Sequence, residues 1–295
     1  MKAGFVALVG RPNAGKSTLL NRLVGQKVAI VSDKPQTTRN RIVGVRNAEG
    51  GQIVFVDTPG IHRPLHRLNV RMVDLAVQSI SQSDLVCAVV DANEAVGGGD
   101  QFLAGLLAKA PVPVVLALNK IDLVPKQALL PRLERWSTLA SFKELVPVSA
   151  LTGENQDVLE AALLRHLPDG EPLYPEDYLT DQPERAFVAE IVREKVLRHT
   201  RDELPFTSAV LVDRFEEVDD RGVMRLYCSI LVERESQKPI VIGRGGSMIK
   251  QIGTEARQEL EAFFNARVFL DLRVKTKANW REDPRLLDEI GIPED

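Results

Sequence analysis

Eight residues near the N-terminus constrain this chain more than any other feature. They are Gly10-Arg11-Pro12-Asn13-Ala14-Gly15-Lys16-Ser17, preceded by an apolar run over 5–9 and followed by a helical pattern over 16–24. The run is G-x-x-x-x-G-K-[ST] in the strand–loop–helix setting that gives the pattern its meaning. Glycines let successive backbone N–H groups curl around a phosphate, and the helix N-terminus adds its positive dipole end. In such a loop Lys16 reaches the β- and γ-phosphates, the Ser17 hydroxyl ligates Mg²⁺, and Thr18 follows in the first helical turn. A chain built this way needs a buried strand that ends at the loop, and therefore a sheet covered on both faces.

The sequence supplies that sheet. Apolar runs at 5–9, 53–56, 84–90, 112–118 and 145–148 lack polar alternation, as strands buried on both faces do. Helical patterns at 16–24, 68–81, 101–108 and 158–166 lie between them. With the phosphate loop, this alternation predicts an α/β nucleotide-binding domain over 1–170, with a doubly wound, mostly parallel sheet. The pattern stops near Leu167. Four prolines and several acids from Pro168 to Pro183 read as a linker at 171–182, followed by a smaller domain over 183–295. There the period changes. Met224, Leu226, Cys228, Ile230 and Val232 alternate with more polar neighbours, Val268, Leu270, Leu272 and Val274 do the same, and a helix is expected over 247–264 between them. That is an α+β unit.

Composition excludes other classes. At 295 residues, 44% hydrophobic and 27% charged, the chain can bury a core without disulfides. Cys87 and Cys228 are far apart and the four histidines do not cluster, so a disulfide scaffold or a Cys/His metal site is not indicated. No run approaches the roughly 18 apolar residues of a membrane span, and the stretch after Met1-Lys2 reads as a first strand rather than a signal peptide. The net charge of −3 is uneven: 19 Lys/Arg against 15 Asp/Glu up to Gly170, and a net of −7 beyond it. A nucleic-acid site in the second half must therefore be a local patch.

Three further motifs fall at predicted strand ends. Asp57-Thr58-Pro59-Gly60 places a carboxylate about forty residues after the phosphate loop, where a Mg²⁺ ligand belongs. In Asn119-Lys120-Ile121-Asp122, Asp122 can accept the ring N–H and exocyclic amine of guanine together, a donor pair adenine lacks. Ser149-Ala150-Leu151 can offer a backbone N–H to the guanine oxygen. In order and spacing these residues resemble the GTPase signature set. The resemblance implies a threonine that closes over Mg²⁺ and the γ-phosphate, and Gln36-Thr37-Thr38-Arg39 supplies Thr38, with Thr37 as the alternative. The metal set is then Ser17, Thr38 and Asp57, and the catalytic set Lys16, Thr38 and Asn13. Ile61 stands where Ras-like enzymes carry a water-orienting glutamine, and its side chain cannot orient water. Slow hydrolysis follows. Some GTPases with a similar Pro-Asn-x-Gly-Lys-Ser loop use a bound K⁺, which makes Asn13 a candidate for that ion.

The second informative stretch is Lys238-Pro239-Ile240-Val241-Ile242-Gly243-Arg244-Gly245-Gly246-Ser247-Met248-Ile249-Lys250. Here 240–242 reads as a strand entering a G-x-x-G loop before a helix, the device by which KH domains clamp about four nucleotides of single-stranded RNA. Gly243, Arg244, Gly245, Gly246, Ser247, Lys250 and Arg257 are the expected RNA-binding residues. From Ser236 to Arg281 there are nine basic and four acidic residues, and Arg193, Lys195, Arg198 and Arg201 add a second basic run on a predicted helix. Trp280 is expected to pack rather than stack on a base. His62 and His66 have no partner that suggests catalysis.

A GTPase domain joined to one KH domain is similar to the bacterial Era family. The match runs through 10–17, Gln36-Thr37-Thr38-Arg39, 57–60, 119–122, a helix from Glu194-Lys195 to Glu203-Leu204-Pro205, 243–250 and the ending Val274-Lys275…Asn279-Trp280-Arg281. The resemblance implies a GTP/GDP- and Mg²⁺-dependent switch in small-subunit assembly and rRNA maturation, whose KH domain binds the 3′ end of 16S rRNA and not DNA. It also implies a cytoplasmic protein with a peripheral inner-membrane fraction. Such a switch would use the segment from Asp57 to Met72 to signal nucleotide state. The alternative is a GTPase coupled to another RNA such as tRNA; a GTP-dependent tRNA-modifying enzyme would need a catalytic or cofactor site in the second half, where none is evident. A constitutive RNA binder with a dead nucleotide site would lack Lys16 or Asp57. An ATPase would lack 119–122.

Overall fold

A computed structural model describes residues 1–34, 36–61, 66–201 and 204–292. The chain divides into two compact units. The first comprises Met1–Val31, Gln36–Leu65 and Met72–Asp181, and the second comprises Ser32–Pro35, His66–Arg71 and Gln182–Asp295.

The first unit contains strands β1 (Lys2–Val9), β2 (Ile42–Ala48), β3 (Gly51–Asp57), β4 (Leu85–Asp91), β5 (Val114–Asn119) and β6 (Glu144–Pro147), in the order β2-β3-β1-β4-β5-β6. All neighbours pair parallel except β2, which runs antiparallel to β3 at the edge. Alternation along β1 divides the core. Val6 and Leu8 join Leu19, Leu20 and Leu23 of α1 (Lys16–Val24) and Leu159, Ala162 and Leu163 on one face. Ala7 and Val9 join Ala76, Ile80, Leu103, Leu107 and Trp136 on the other. Those outer residues come from α2 (Arg67–Gln82), α3 (Gly98–Leu107), α4 (Leu129–Ser137) and, on the first face, α5 (Gln156–His166). The doubly wound α/β expectation holds.

Two elements had no clear signal. In β2 the apolar run is interrupted by Gly44, where a Cβ would press to 2.8 Å against Leu20 and Val24 of α1. The helix packs directly on the strand, and the glycine that permits this hides the strand pattern. In α4 the apolar stripe of Leu129, Leu133 and Trp136 packs on the core, but Pro131 lies within the nine-residue helix and masks its signal. Residues 171–181, expected to belong to a linker, pack on the sheet's edge. Tyr174 and Tyr178 stack at 4.7 Å and cover Val43, Val45, Val54 and Val56. Val45 N–H donates to the Leu179 carbonyl at 2.8 Å, and buried Gln52 accepts from Leu173 and Tyr174 N–H at 2.7 and 2.9 Å.

The second unit is built on a three-stranded sheet, β7 (Ala209–Glu216), β8 (Val223–Val232) and β9 (Arg267–Thr276), antiparallel between β7 and β8 and parallel between β8 and β9. Helices α6 (Glu184–His199) and α9 (Ser247–Phe264) pack on it, with short α7 (Leu204–Thr207), α8 (Lys238–Ile242) and α10 (Pro284–Glu289). Ile252, Ala256 and Leu260, four residues apart, form the buried stripe of α9. The 240–242 segment expected as a strand is instead helical, in α8. Pro239 explains the difference, because its fixed φ and missing N–H suit a first helical turn. The helix expected to run from Glu194 to Pro205 ends at His199 and is followed by α7, while Glu203 lies outside the described residues. Trp280 is fully buried and donates Nε1–H to the Thr207 carbonyl at 2.8 Å, so it packs as expected. No helix among the described residues is long and apolar enough to cross a membrane.

Candidate functional site

The loop after β1 is shaped by what surrounds its glycines. A Cβ on Gly10 would lie 2.2 Å from the Val89 carbonyl of β4, and one on Gly15, at φ 94°, would lie 2.3 Å from Asn119 Nδ2. Gly15 is also the N-cap of α1, so the helix dipole opens at the loop. Lys16 is buried and donates Nζ–H to the carbonyls of Gly10 at 3.2 Å and Arg11 at 3.1 Å. Burial pulls its ammonium below the usual lysine range, and the Asp57 carboxylate opposes this.

Asp57 ends β3 fully buried. Its Oδ2 accepts from Ser17 Oγ at 2.7 Å and Thr38 Oγ1 at 3.0 Å, and the two hydroxyls are 2.8 Å apart. Its Oδ1 is buried without a hydrogen-bond partner among the described residues. Desolvation raises the carboxyl above its usual range, against the pull of Lys16, Ser17, Thr38 and the Thr58 amide. Two hydroxyls and one carboxylate, with an orphaned oxygen of its own, converge to form a hard oxygen donor set, which fits Mg²⁺. Thr38 is thus within hydrogen-bond distance of both other expected ligands.

Nearby residues hold the loop. Thr58 donates Oγ1–H to the Leu8 carbonyl at 2.8 Å, and Gly60 lies so near Pro12 that a Cβ would come within 2.7 Å of its nitrogen. Ile61 N–H donates to the Gly10 carbonyl at 3.0 Å while its side chain is buried in the core. Arg11 turns to Glu94 and Asp100, at 2.9 and 3.1 Å. Asn13 stands exposed at φ 63°. His62 lies outside the described residues.

Asn119 stitches two loops together. Its Nδ2 donates to the Ala14 carbonyl and its Oδ1 accepts from Ala150 N–H, both at 2.9 Å. Lys120, left-handed at φ 64°, pairs with Asp91 at 2.6 Å. Asp91, which belongs to no sequence motif, holds Lys120 from the end of β4, and its place at a strand end beside the motif strands is the one signal the sequence carries for it. Ile121 is buried, and Asp122 is exposed with Oδ1 accepting from Ser149 Oγ at 2.5 Å. That contact orients the carboxylate and leaves lone pairs for a base.

In the second unit Gly243, Gly245 and Gly246 all have positive φ, at 74°, 59° and 78°, and open directly into the 18-residue α9. Arg244, Ser247 and Lys250 are exposed beside them, and Ile249, Lys250, Gly253, Arg257, Leu270 and Leu272 line one groove. The local positive charge is smaller than the residue count suggested. Lys238, Arg273, Lys275, Lys277 and Arg281 pair with Glu235, Asp271, Asp213, Asp283 and Glu233, and Arg257 approaches Glu261 at 3.7 Å. Among the described residues Arg244, Lys250 and Arg267 make no ion pair. The basic run on α6 is no surface patch. Arg193 and Lys195 are buried, Arg193 against Glu190 at 2.5 Å and Lys195 between Glu194 and Glu259, while Arg198 pairs with Glu255. Counting charge along a sequence cannot see which cations are neutralised by residues brought in from elsewhere.

Residues 5–120 match the family model described as a 50S ribosome-binding GTPase, and residues 203–281 match that of a KH domain. The chain is 50% identical to GTPase Era of Geobacter metallireducens across 290 residues, which cover 98% of this chain and 97% of that protein. With the Era of Heliobacterium modesticaldum it shares 47% over 294 residues, covering 100% and 98%. The chain belongs to the GTPase Era family. It is a GTPase carrying a KH domain. Two solved Era structures cover all of this chain and are covered by it, each at 42% identity. One is an Aquifex aeolicus Era variant bound to GDP·AlF₄⁻, with a TM-score of 0.95. The other is Era in complex with MgGDPNP and nucleotides 1506–1542 of 16S ribosomal RNA, with a TM-score of 0.96.

Proposed function

We propose that this protein is a GTP-driven switch that binds small-subunit rRNA near its 3′ end and acts in 30S subunit assembly and rRNA maturation in the cytoplasm. The carrying observation is its full-length likeness, at 42% identity, to an Era that holds MgGDPNP and a 16S rRNA segment together. The family description of the first domain alone names the large subunit. The full-length relative is the better guide to RNA, because only it includes the domain with the Gly243–Gly246 loop. A peripheral membrane fraction rests on family resemblance alone.

In this reading Lys16 exchanges its loop carbonyls for phosphate oxygens. Mg²⁺ supplies charge neutralisation at the phosphates, and Ser17, Thr38 and Asp57 would hold it. GTP would then hold Thr38 at the site, and hydrolysis would release it. Nucleotide state changes RNA affinity only if the two states differ in their free energy with RNA bound. In the same reading the buried Ile61 side chain cannot orient water, so intrinsic turnover is slow, and Asn13, in a loop similar to those of K⁺-using GTPases, would help hold K⁺ beside the phosphates. Replacing KCl by NaCl should then lower the GTPase rate, and an unchanged rate removes that part of the reading.

The KH assignment is tested by crosslinking in cells and sequencing the bound RNA, with Gly246→Asp as the comparison. Small-subunit rRNA near its 3′ end is expected from the unaltered protein and not from the variant. Recovery of tRNA or scattered transcripts would discard the rRNA assignment while leaving the GTPase. In vitro, single-strand binding should lose roughly 0.7 of salt slope for each of Arg244→Ala and Lys250→Ala.

A further inference from the structure

Arg22 lies in the last turn of α1, the helix that begins at the phosphate loop. It belongs to none of the recognised motifs. Its Nε–H donates to the Ala150 carbonyl at 3.2 Å and an Nη2–H donates to the Leu151 carbonyl. Its own main-chain carbonyl accepts from Gln156 Nε2 at 3.1 Å. Among the described residues no carboxylate competes for the guanidinium. All of its charge is therefore directed at two consecutive carbonyls of the loop after β6. Hydrogen bonds from a charged donor are the strong kind, and the planar fork of arginine can hold two acceptors in fixed directions.

Peptide planarity gives this contact a consequence. A trans peptide is rigid, with its C=O and following N–H pointing in opposite directions. Holding the Ala150 carbonyl therefore aims the Leu151 N–H, which shares its plane. The neighbouring amides are already engaged, Ala150 N–H with Asn119 Oδ1 at 2.9 Å and Thr152 N–H with Ser149 Oγ at 3.1 Å. The Leu151 N–H has no protein acceptor among the described residues. Thr18, Arg22, Ala150 and Leu151 line one open cleft, so the helix that receives phosphate at its start reaches the base-reading loop at its end.

We propose that Arg22 is a positioning residue for guanine selection, holding the Ala150–Leu151 peptide plane so that the Leu151 amide meets the 6-oxo oxygen of the base. The inference rests on the reading of Asp122 and 149–151 as the guanine-recognition elements. A merely structural arginine would weaken all nucleotides alike. A positioning one weakens only those that carry the 6-oxo group.

The experiment is equilibrium displacement of a fluorescent GDP analogue from the full-length protein with Mg²⁺, using GDP, inosine diphosphate and 2-aminopurine riboside diphosphate, which lacks the 6-oxo group. Arg22→Ala should weaken GDP and inosine diphosphate by about tenfold, equivalent to about 1.4 kcal/mol, and leave the 2-aminopurine nucleotide unchanged. Arg22→Lys, which keeps a cation but cannot bridge both carbonyls, should fall between and serves if the alanine variant does not fold. Parallel losses for all three ligands, or no loss, overturn the role of Arg22 while the base-reading loop stands. An unaltered protein that binds GDP and the 2-aminopurine nucleotide equally overturns the recognition reading itself, and the role of Arg22 with it.

Discussion

Replacing Gly15 by alanine tests how the nucleotide site is assembled. The added methyl would meet Asn119 Nδ2 at 2.3 Å, with the Asn119 Cγ next at 3.6 Å. The obstacle is the end of a side chain, so the fold survives if Asn119 swings away. Swinging away breaks its bonds to the Ala14 carbonyl and Ala150 N–H, which tie the phosphate loop to the base loop. Alanine at φ 94° costs roughly 1–2 kcal/mol, and leaving buried partners unsatisfied costs about 1–3 kcal/mol more. If about 3 kcal/mol of this falls on the nucleotide-competent state, GDP affinity drops roughly a hundredfold. Gly25→Ala is the internal control. It has a similar φ of 83° at the other end of α1, and nothing lies within 4 Å of its added Cβ. It should lower melting temperature through backbone strain and leave GDP affinity unchanged. Titration calorimetry with MgGDP and thermal melting of both variants decide the matter. Equal effects of the two substitutions on affinity would refute the argument, since strain alone would then account for everything.

Further outcomes are expected elsewhere. Asp122→Asn should lose the preference for GTP by at least about tenfold with the melting curve intact, as one charge-assisted pair to the base is removed; unchanged GTP affinity refutes the base assignment. Lys195→Met should destabilise the second unit by about 3 kcal/mol, because buried Glu194 and its neighbour Glu259 lose their cation. Its RNA salt slope should not change, and a reduced slope would return Lys195 to the RNA surface. Burial pushes the thiols of Cys87 and Cys228 up to about 12. Native protein should therefore resist thiol reagents at pH 8 that label it fully once unfolded. Because the folded thiols titrate above their unfolded value of about 8.5, their contribution to stability is complete below that pH and declines as pH rises toward 12. A denaturation midpoint that is flat between pH 8.5 and 10.5 would contradict this.

Local chemistry made much of this protein legible in one dimension. A phosphate loop needs its glycines, lysine and serine within eight consecutive residues, and a strand buried on both faces needs an uninterrupted apolar run. The alternation around 10–17 therefore identified the doubly wound domain, and the strand-end motifs at 57–60, 119–122 and 149–151 named residues that the fold brings to the carboxyl ends of the strands of one sheet. The amphipathic period of 247–264 likewise placed α9, whose start carries the glycine loop.

Interactions between residues distant in sequence were decided only by the tertiary structure. Gly44 broke the pattern of β2 because a helix at least twenty residues earlier packs against it. Pro239 turned an apolar triplet into a helix, and Tyr174 and Tyr178 bound an aperiodic segment to the sheet edge. Charge gave the least reliable signal along the chain. Arg193, Lys195, Lys275 and Arg281 look alike in a count, yet each is paired with a carboxylate, whereas Arg244 and Lys250 stand open beside the glycine loop. Arg22 and Asp91 carry no motif at all, because their chemistry consists of partners that only folding brings within 3.2 Å. A motif records the groups that meet a ligand. The groups that hold those in place are set by packing, which the order of residues does not display.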